Sequence, residues 1–381
     1  MVRMSSTVRL TPSTVRLIPI FAIIILLIFS FAVFKTSGIE RYQDRTENPM
    51  YYPRNRAALA EEDLNEYSVK TFKGYVPLSE LNEKVYKQFG YEIKRPTLPV
   101  PTLRMLNEPT CDEVFSEWLR ISEEPQPDIP PKEIPERQAE DFLLNGYANV
   151  EPFYFNDKNA VGGDKPRNWN KISKLMGWTK DEIGQLAYPG ESVSMYHAMK
   201  GHRLDGLSGF VVGSMQPWVE VMALKNGARK ILTVEYNKLE IQEEFQDRLS
   251  SILPVEFAKN WQEYAGKLDF AASFSSIEHS GLGRYGDPID PIGDLREMLK
   301  IKCMLKQGGL LFLGLPLGTD AIQYNAHRIY GSIRLAMMFY GFEWLDTYSG
   351  DSEEAFDFNS ARLHYKGTFG LTQHTLVLRK L

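Results

Sequence analysis

The second half of the sequence predicts an α/β fold with a mainly parallel, Rossmann-like sheet of seven strands and an antiparallel edge. Short apolar runs alternate there with helical stretches, which favours parallel strands covered by helices on both faces. The first two strands and the helix between them form a βαβ unit. Two apolar runs near the C-terminus, 342–347 and 376–381, can pair as the antiparallel edge.

The βαβ unit follows a helix predicted at 191–200. Its first strand, 209–214, is an apolar run that ends in a tight turn. A helix at 218–226 comes next, and the second strand, 229–236, carries Glu235 near its C-terminal end.

Further elements continue the alternation. We expect a polar helix, a weak strand, a clear strand, a helix opened by an Asp-x-x-Glu pair, and an all-apolar strand. In chain order these five elements lie at 239–253, 255–257, 269–274, 294–306 and 310–315.

An uncharged apolar run at 17–34 predicts a transmembrane helix that anchors the protein in a lipid bilayer. Arg3, Arg9 and Arg16 precede it without an acidic residue, so the positive-inside rule puts residues 1–16 in the cytosol. The remaining chain then lies in the lumen of the Golgi or endoplasmic reticulum, as in a single-pass type II protein with a signal-anchor. The alternative is a cleaved signal peptide and a secreted protein, although the run is longer than the usual core of such peptides.

The segment 35–144 is predicted to be a stem followed by a proline-rich wrapping segment. Its first part, to about Gly90, is polar. Nine of the chain's 22 prolines lie between Pro96 and Pro135 and favour extended structure there. The folded domain is expected to span 145–381.

The charge balance and the number of cysteines exclude some classes of binding partner. The chain has 44 basic and 49 acidic residues, a net charge of -5, and no long basic block, so nucleic acid is not an expected partner. Cys111 and Cys303 are too few for a disulfide framework and lack the paired spacing of a zinc site. Whether they pair, and in which redox compartment, is left open by the sequence.

Small and polar side chains follow the predicted strands at their carboxyl ends, where ligands collect in open α/β sheets. Among them, Glu235 has two carboxylate oxygens that can accept the hydroxyls of a ribose. The ordered combination predicts a site for a nucleoside cofactor. Its candidate residues are Gly213, Ser214, Gln216, Glu235, Ser275, Glu278 and His279.

Three strings, GSMQPWVE at 213–220, SSIEHSGLGRYGDP at 275–288 and NAHRIYG at 325–331, are long and specific. They resemble domain-of-unknown-function family 268, a nematode-enriched and uncharacterised family, and the resemblance covers roughly residues 145–381. It implies a relation to class I S-adenosylmethionine-dependent methyltransferases, and so a methyltransferase-like Rossmann fold with S-adenosylmethionine as cofactor. The family identifies no substrate.

In that superfamily an acidic residue and a glycine-rich loop surround the methionine part of the cofactor. The corresponding stretch here, 211–217, lacks two of the glycines and the acid. By contrast, Glu235 keeps the ribose position, and 274–279 resembles the segment that borders the methyl group.

A methyltransferase gains much of its rate from alignment of acceptor and methyl carbon, and oxygen acceptors also benefit from a base. His279 is the candidate base because imidazole titrates near neutral pH. Glu278 is expected to orient it or bind a cation, and His327 is a further candidate. The alternative role for His279 is to tie down its loop.

The glycine-rich stretch 281–288 is expected to form a lid over the acceptor, with Arg284, Tyr285 and Asp287 in contact with it. The alternative is a structural loop capped by Asp287. Asp287, Asp290 and Asp294 also suggest a metal site, but Asp294 has a capping role and the rigid Pro288 and Pro291 argue against a continuous ligand helix, so no metal is expected.

Two more candidates for acceptor binding, Arg328 and Tyr330, are predicted to open a helix after the fifth strand. From that place their side chains can reach an acceptor. The alternative is a core Tyr330 and a surface Arg328.

The sharpest functional expectation is a membrane-anchored methyltransferase that O-methylates a glycan, a small molecule or another acceptor of the secretory pathway. The eroded glycine loop motivates the alternative of an inactive domain that serves as a binding or scaffold module. A Golgi-type glycosyltransferase shares the predicted topology, but the chain has no Asp-x-Asp motif for a cation.

Overall fold

The computed structural model describes residues 63–157, 166–358, 360–364 and 371–381. The predicted transmembrane run lies outside these residues. Within them, no helix combines the length and the apolar character needed to cross a bilayer.

The strands carry the numbering used below. In chain order they are β1 (Ser68–Thr71), β2 (Gly74–Pro77), β3 (Tyr91–Arg95), β4 (Thr102–Met105), β5 (Asn149–Phe153), β6 (Arg167–Trp169), β7 (Ser208–Val212), β8 (Lys230–Val234), β9 (Leu239–Ile241), β10 (Leu249–Ile252), β11 (Leu268–Phe274), β12 (Leu305–Pro316), β13 (Ala321–Asn325), β14 (His327–Ile329), β15 (Phe342–Tyr348) and β16 (Gln373–Lys380).

The helices are numbered in the same way. They are α1 (Leu78–Lys84), α2 (Cys111–Glu123), α3 (Ala139–Phe142), α4 (Ile172–Met176), α5 (Lys180–Gly184), α6 (Val193–Gly201), α7 (Trp218–Lys225), α8 (Pro254–Lys259), α9 (Gly293–Met304) and α10 (Ser332–Met338).

A seven-stranded sheet in the order β10-β8-β7-β11-β12-β16-β15 forms the centre of the fold. The first five strands of that order run parallel, and β16 is antiparallel to both β12 and β15. The predicted mainly parallel sheet with an antiparallel edge pair is therefore confirmed. The strand order reverses between β7 and β11, which is where open α/β sheets bind ligands.

Successive side chains along the central strands point to opposite faces of the sheet, so the hydrophobic core is divided between the two faces. Phe210 and Ala271 belong to one buried cluster, whereas their neighbours Val211 and Ala272 belong to the other. Helices α8, α9 and α10 contribute to the first cluster, and α7 contributes to the second. The sheet is thus covered on both faces, as its apolar strands require.

The third parallel strand is not where the sequence predicts it. In place of a helix at 239–253 the chain forms β9, a single 3-10 turn and β10, and the weak strand predicted at 255–257 lies in helix α8. Ile241, Phe245 and Leu249 recur every four residues, which imitates a helical face. Pairing of β9 with β6 and of β10 with β8 overrides that local preference.

The described part of the predicted stem, 63–144, is packed against the sheet domain and is not a free linker. Its buried residues include Val69 of β1, Leu81 of α1 and Phe115 of α2, all in the cluster on the first face of the sheet. Phe115 stacks on Trp261 with ring centroids 5.4 Å apart. The segment is polar overall, but its scattered apolar residues pack against this face of the sheet.

Cys111 and Cys303, whose pairing the sequence leaves open, form a disulfide between the first residue of α2 and the end of α9. It joins residues 192 positions apart. The N-terminal segment is therefore covalently tied to a helix of the sheet domain.

Candidate functional site

A cavity of about 370 Å³ opens at the carboxyl ends of β7, β8 and β11. Its volume falls in the range typical of small-molecule sites, roughly 300–1,000 Å³. Most of the residues predicted from the sequence meet here. Those that line the cavity are Gly213, Ser214, Gln216, Glu235, Ser275, His279, Tyr285 and Asp287.

The turn after β7 lies tightly against the segment after β11. Gly213 has a φ of +72°, and a Cβ on it would stand 1.9 Å from the Ser276 Oγ. Only glycine fits both the backbone angle and the space. The single glycine that this shortened loop retains is therefore the one that brings the two strand ends together.

Glu235 lies at the base of the cavity with only 5% of its surface exposed. One carboxylate oxygen accepts the Ser214 amide at 2.8 Å, and the other accepts both the amide and the side chain of Asn237 at 3.1 and 3.0 Å. A carboxylate offers about four acceptor positions. The carboxylate is thus held in place by three donors and keeps room for one more.

A second buried acid, Glu220 on α7, lies beneath the same loop and was not predicted. Its carboxylate accepts the hydroxyls of Ser214 at 3.0 Å and Thr233 at 2.8 Å. Burial raises the pKa of Glu220 to about 7, and the nearby Glu235 acts in the same direction. Ser214 therefore connects two acids, through its amide to Glu235 and through its hydroxyl to Glu220.

His279 lines the cavity in one defined tautomer. Its Nδ1 lies 2.6 Å from the Ala326 carbonyl oxygen, and because a carbonyl can only accept, Nδ1 carries the proton and Nε2 a lone pair. Burial, with a contribution from Arg284, lowers the pKa of His279 to about 3. The imidazole is accordingly neutral at pH 7 and a weak proton acceptor.

Ser275 stands at the end of β11 in a left-handed conformation, with a φ of +51°. Its Oγ accepts the Tyr188 hydroxyl at 2.7 Å and the Gln373 side-chain amide at 3.3 Å. Such a φ is uncommon outside glycine and often marks a functional site. Neither Tyr188 nor Gln373 was predicted.

Glu278 follows on a 3-10 turn and is 1% exposed. It does not line the cavity, but its Oε1 is 3.9 Å from the Nε2 of His279, and its Oε2 has no hydrogen-bond partner. Burial raises the pKa of Glu278 to about 7. Glu278, like Glu220, is thus a buried carboxyl whose charge can change near neutral pH.

The stretch 281–288 is fixed from within by Asp287. The Asp287 carboxylate accepts the amides of Gly281 at 2.8 Å, Gly283 at 3.1 Å and Tyr285 at 3.2 Å. Asp287 therefore caps the loop, as the alternative prediction states, while Tyr285 still faces the cavity. Arg284 does not line the cavity.

The Arg284 guanidinium is engaged by neighbouring groups. Its Nε donates to Asp157 at 2.7 Å, and the group lies 4.3 Å from the ring centre of Phe155. Those partners come from the segment after β5, so Arg284 joins two loops near the cavity.

Arg328, Tyr330 and His327 lie away from the cavity lining. Arg328 and His327 belong to β14 and do not open a helix, because the chain turns back in a β13–β14 hairpin before α10 begins. Arg328 is completely buried and is not a surface residue. These positions correct the placement expected from the sequence.

The Arg328 guanidinium holds the loop behind the cavity. It donates to the carbonyls of Ser280 at 2.5 Å, Asp290 at 3.1 Å and Pro291 at 3.2 Å. The Tyr330 hydroxyl donates to Asp294 at 2.9 Å. Arg328 thus supports the segment that carries Glu278 and His279, and Tyr330 supports the start of α9.

The three aspartates that suggest a metal site in the sequence have separate partners. Asp287 accepts backbone amides, Asp290 pairs with Arg296 at 2.6 Å, and Asp294 pairs with Arg334. Within the described ranges, no group of three or more metal-ligating side chains converges.

Helix α9 supplies the far wall of the cavity, through Glu297 and Lys300. The Lys300 Nζ lies 2.6 Å from the Glu297 carboxylate and 4.1 Å from the ring centre of Trp118 on α2. Burial lowers the pKa of Lys300. Through Trp118, the N-terminal segment thus contacts a residue of the cavity wall.

Two of the residues that sequence reasoning missed, Tyr188 and Gln373, come from elements far from the predicted motifs. Tyr188 precedes the first strand of the large sheet, and Gln373 begins β16, the last strand of that sheet along the chain. No local pattern marks either side chain. Only the assembled sheet brings them to Ser275.

No curated protein matches this chain significantly. Among solved structures it is similar to the Burkholderia thailandensis 1,6-didemethyltoxoflavin-N1-methyltransferase with bound S-adenosylhomocysteine, at 14% identity over 60% of this chain and 92% of that one, with a TM-score of 0.36. A second similar structure is a putative S-adenosylmethionine-dependent methyltransferase from Streptococcus mutans, at 11% identity over 51% and 49% of the two chains, with a TM-score of 0.33. A third is a putative S-adenosylmethionine-dependent methyltransferase from Listeria monocytogenes, at 9% identity over 49% and 97%, with a TM-score of 0.31.

All three strings lie within the part of the chain that matches a family model. Residues 206–381 match the family described as "Caenorhabditis protein of unknown function, DUF268".

Proposed function

We propose that this protein is an S-adenosylmethionine-dependent methyltransferase. The observation that carries the proposal is the cavity at the strand-order reversal, with the buried Glu235 carboxylate at its base. An acid at the end of the second strand of such a sheet is suited to a ribose. When bound, the cofactor would supply an electrophilic methyl group on a sulfonium.

The residues present fit this cofactor in spite of the shortened glycine loop. Glu235 keeps one acceptor position after its three internal hydrogen bonds, and Gly213 allows the backbone to pass close beside the cavity. Ser275 and His279 then border the place where an acceptor would meet the methyl group. The Ser214 contacts to Glu235 and Glu220 hold the shortened loop in place.

Calorimetric titration of the full chain in detergent with S-adenosylmethionine and S-adenosylhomocysteine tests the proposal. We expect saturable binding of both, and a loss of at least tenfold in affinity in Glu235→Ala, since a charge-assisted hydrogen bond contributes roughly 1.5–3 kcal/mol. Glu240→Ala, an exposed acid on β9, is the matched control and should bind as the wild type does. Absence of binding by a folded protein would reject the enzyme and favour the scaffold role.

For the acceptor we propose a hydroxyl of a glycan or of another secretory-pathway molecule, reached by a domain that residues 17–34 anchor on the luminal side. The Cys111–Cys303 disulfide supports this location, because disulfides persist in oxidising compartments and are rare in the cytosol. Thiol alkylation of the protein in intact microsomes, without reductant, should leave both cysteines unmodified. Alkylation of both cysteines in unreduced protein would contradict the luminal assignment.

A further inference from the structure

The wall that α9 contributes to the cavity carries an ion pair. Glu297 and Lys300 lie one turn apart on this helix, both line the cavity, and the Lys300 Nζ is 2.6 Å from a Glu297 carboxylate oxygen. Both side chains are largely buried. Removing two charges from water can cost as much free energy as their attraction returns, so such a pair is a weak source of stability. Its place in a cavity wall favours a role in ligand binding.

Helix α2 of the N-terminal segment holds this wall. The Trp118 ring centre lies 4.1 Å from the Lys300 Nζ. Phe115, one turn earlier on α2, contacts the ring of Phe257 on α8 with ring centroids 6.1 Å apart. The disulfide also joins α2 to α9. Helix α2 therefore bridges α8 and α9, and both of those helices contribute residues to the cavity lining.

A nucleoside whose ribose meets Glu235 would direct its base toward this side of the cavity. Ser275 and His279, after β11, border the place of the methyl group. The base and the sulfur are attached at opposite ends of the ribose, so the base points away from β11, past β8 toward β10. The lining there includes Tyr236, directly after Glu235, and Pro254 at the start of α8. Both rings offer apolar faces to a base.

The ion pair offers an acceptor and a donor side by side. A carboxylate accepts hydrogen bonds, and an ammonium has three donors, of which a single oxygen at 2.6 Å engages one. On adenine the 6-amino group donates and the neighbouring ring nitrogen N7 accepts. Glu297 and Lys300 are the complement of that edge. A 6-oxopurine would instead place an oxygen against the Glu297 carboxylate.

We propose that Glu297 and Lys300 form a base-recognition site that selects a 6-aminopurine over a 6-oxopurine, with Trp118 as the positioning residue that holds Lys300 in the wall. The inference rests on the proposed cofactor and adds the residues that distinguish its base. Trp118 lies outside residues 206–381, which match the family model. The N-terminal segment is then part of the ligand site as well as a cover for the sheet.

The test is calorimetric titration of the full chain in detergent with two pairs of ligands. The first pair is S-adenosylhomocysteine and S-inosylhomocysteine, and the second is adenosine and inosine. We expect each adenine ligand to bind roughly tenfold or more tightly than its hypoxanthine partner, because a charge-assisted hydrogen bond is replaced by a contact between two acceptors. Glu297→Gln should reduce this ratio to about threefold or less, since an amide can donate to the 6-oxo group.

The ratio of two affinities separates recognition from folding, because a general loss of folded protein weakens both ligands equally. Trp118→Leu should narrow the ratio, whereas Phe115→Leu, which truncates a buried ring on the same helix, should leave it unchanged. Glu117→Gln is the matched control for Glu297→Gln. Glu117 lies 3.8 Å from Arg296 of α9 without lining the cavity, so its substitution should leave the ratio unchanged.

The outcomes distinguish this inference from the proposed function. Tight binding of S-adenosylhomocysteine with equal affinity for its inosyl analogue, or an unchanged ratio in Glu297→Gln, would overturn the base-recognition site and retain the methyltransferase. A preference for adenosine over inosine in a protein that does not bind S-adenosylhomocysteine would do the reverse. An unchanged ratio in Trp118→Leu would remove its positioning role, and a folded protein that binds none of the four ligands would reject both proposals.

Discussion

The burial of Glu220 should make the unfolding free energy of the protein depend on pH. Its pKa is raised to about 7 by burial, against an ordinary value of 4.5. The folded state thus holds this proton more tightly than the unfolded state does. The stability that this proton contributes is complete below about pH 4.5 and is lost as pH rises through about 7.

We therefore expect Glu220→Gln to be more stable than the wild type at pH 8, by on the order of 3 kcal/mol at most, and to gain little at pH 4.5. Urea denaturation at both pH values measures the change. Glu240→Gln, at an exposed position on β9, should show no such pH-dependent gain. A Glu220→Gln gain that is equal at both pH values would refute the assignment to proton binding.

Gly213 allows a comparison between two glycines with the same backbone angle. Both Gly213 and Gly206 have a φ of +72°, but a Cβ at Gly213 would meet the Ser276 side chain at 1.9 Å, whereas one at Gly206 meets nothing within 4 Å. Gly206→Ala should cost roughly 1 kcal/mol, the cost of the left-handed conformation. Gly213→Ala should cost distinctly more in thermal or chemical denaturation, and equal losses would mean that the close approach is unimportant.

Some residues of the candidate site could be predicted from the sequence and others could not. Glu235 and Gly213 could be predicted because each ends an apolar run, and a strand end locates them in the sheet. Tyr188 and Gln373 could not, since they lie 87 and 98 positions from Ser275, and only the tertiary fold brings them to it. Glu220 was missed because an acid on an otherwise apolar helix shows no sign of its buried partners.

Among the elements, the central strands β7, β8, β11 and β12 were found because strands buried on both faces are continuous apolar runs. The edge strand β10 was missed because its sequence, LSSI, is short and half polar. Its backbone pairing with β8 makes it a strand although its own sequence does not favour one. The β13–β14 hairpin was missed for a similar reason, since its hydrogen bonds to β5 come from a distant part of the chain.

The β13–β14 hairpin should control the order of the loop behind the cavity. Arg328→Leu removes three hydrogen bonds to the carbonyls of Ser280, Asp290 and Pro291. We expect a loss of about 3 kcal/mol or more in unfolding free energy, because those acceptors become buried without donors. Hydrogen exchange should quicken in residues 281–291.

Arg104→Leu on β4 serves as the control for that substitution, since this arginine is exposed and pairs with Glu92. It should change stability by less than about 1 kcal/mol. Unchanged exchange in the loop of Arg328→Leu would show that Asp287 alone holds it.

At the scale of the whole molecule, the Cys111–Cys303 disulfide ties the N-terminal segment to the sheet domain across 192 positions. A chain-entropy estimate for a loop of that length is about 5 kcal/mol. Cys111→Ser with Cys303→Ser should lower the unfolding free energy by up to that amount, as measured by urea denaturation. The unfolding free energy of the wild type under reductant should match that of the double variant. A wild type whose unfolding free energy does not change under reductant would contradict the estimate.

The same disulfide bears on how the protein is made. Because the sequence holds two cysteines, there is a single intramolecular pair to form and no wrong isomer to escape. Cys303 precedes β12, β15 and β16 in the chain, so it is synthesised before these three of the seven central strands. Oxidation during synthesis would therefore join the early segment to α9 first, and the later strands would complete the sheet on a half already crosslinked.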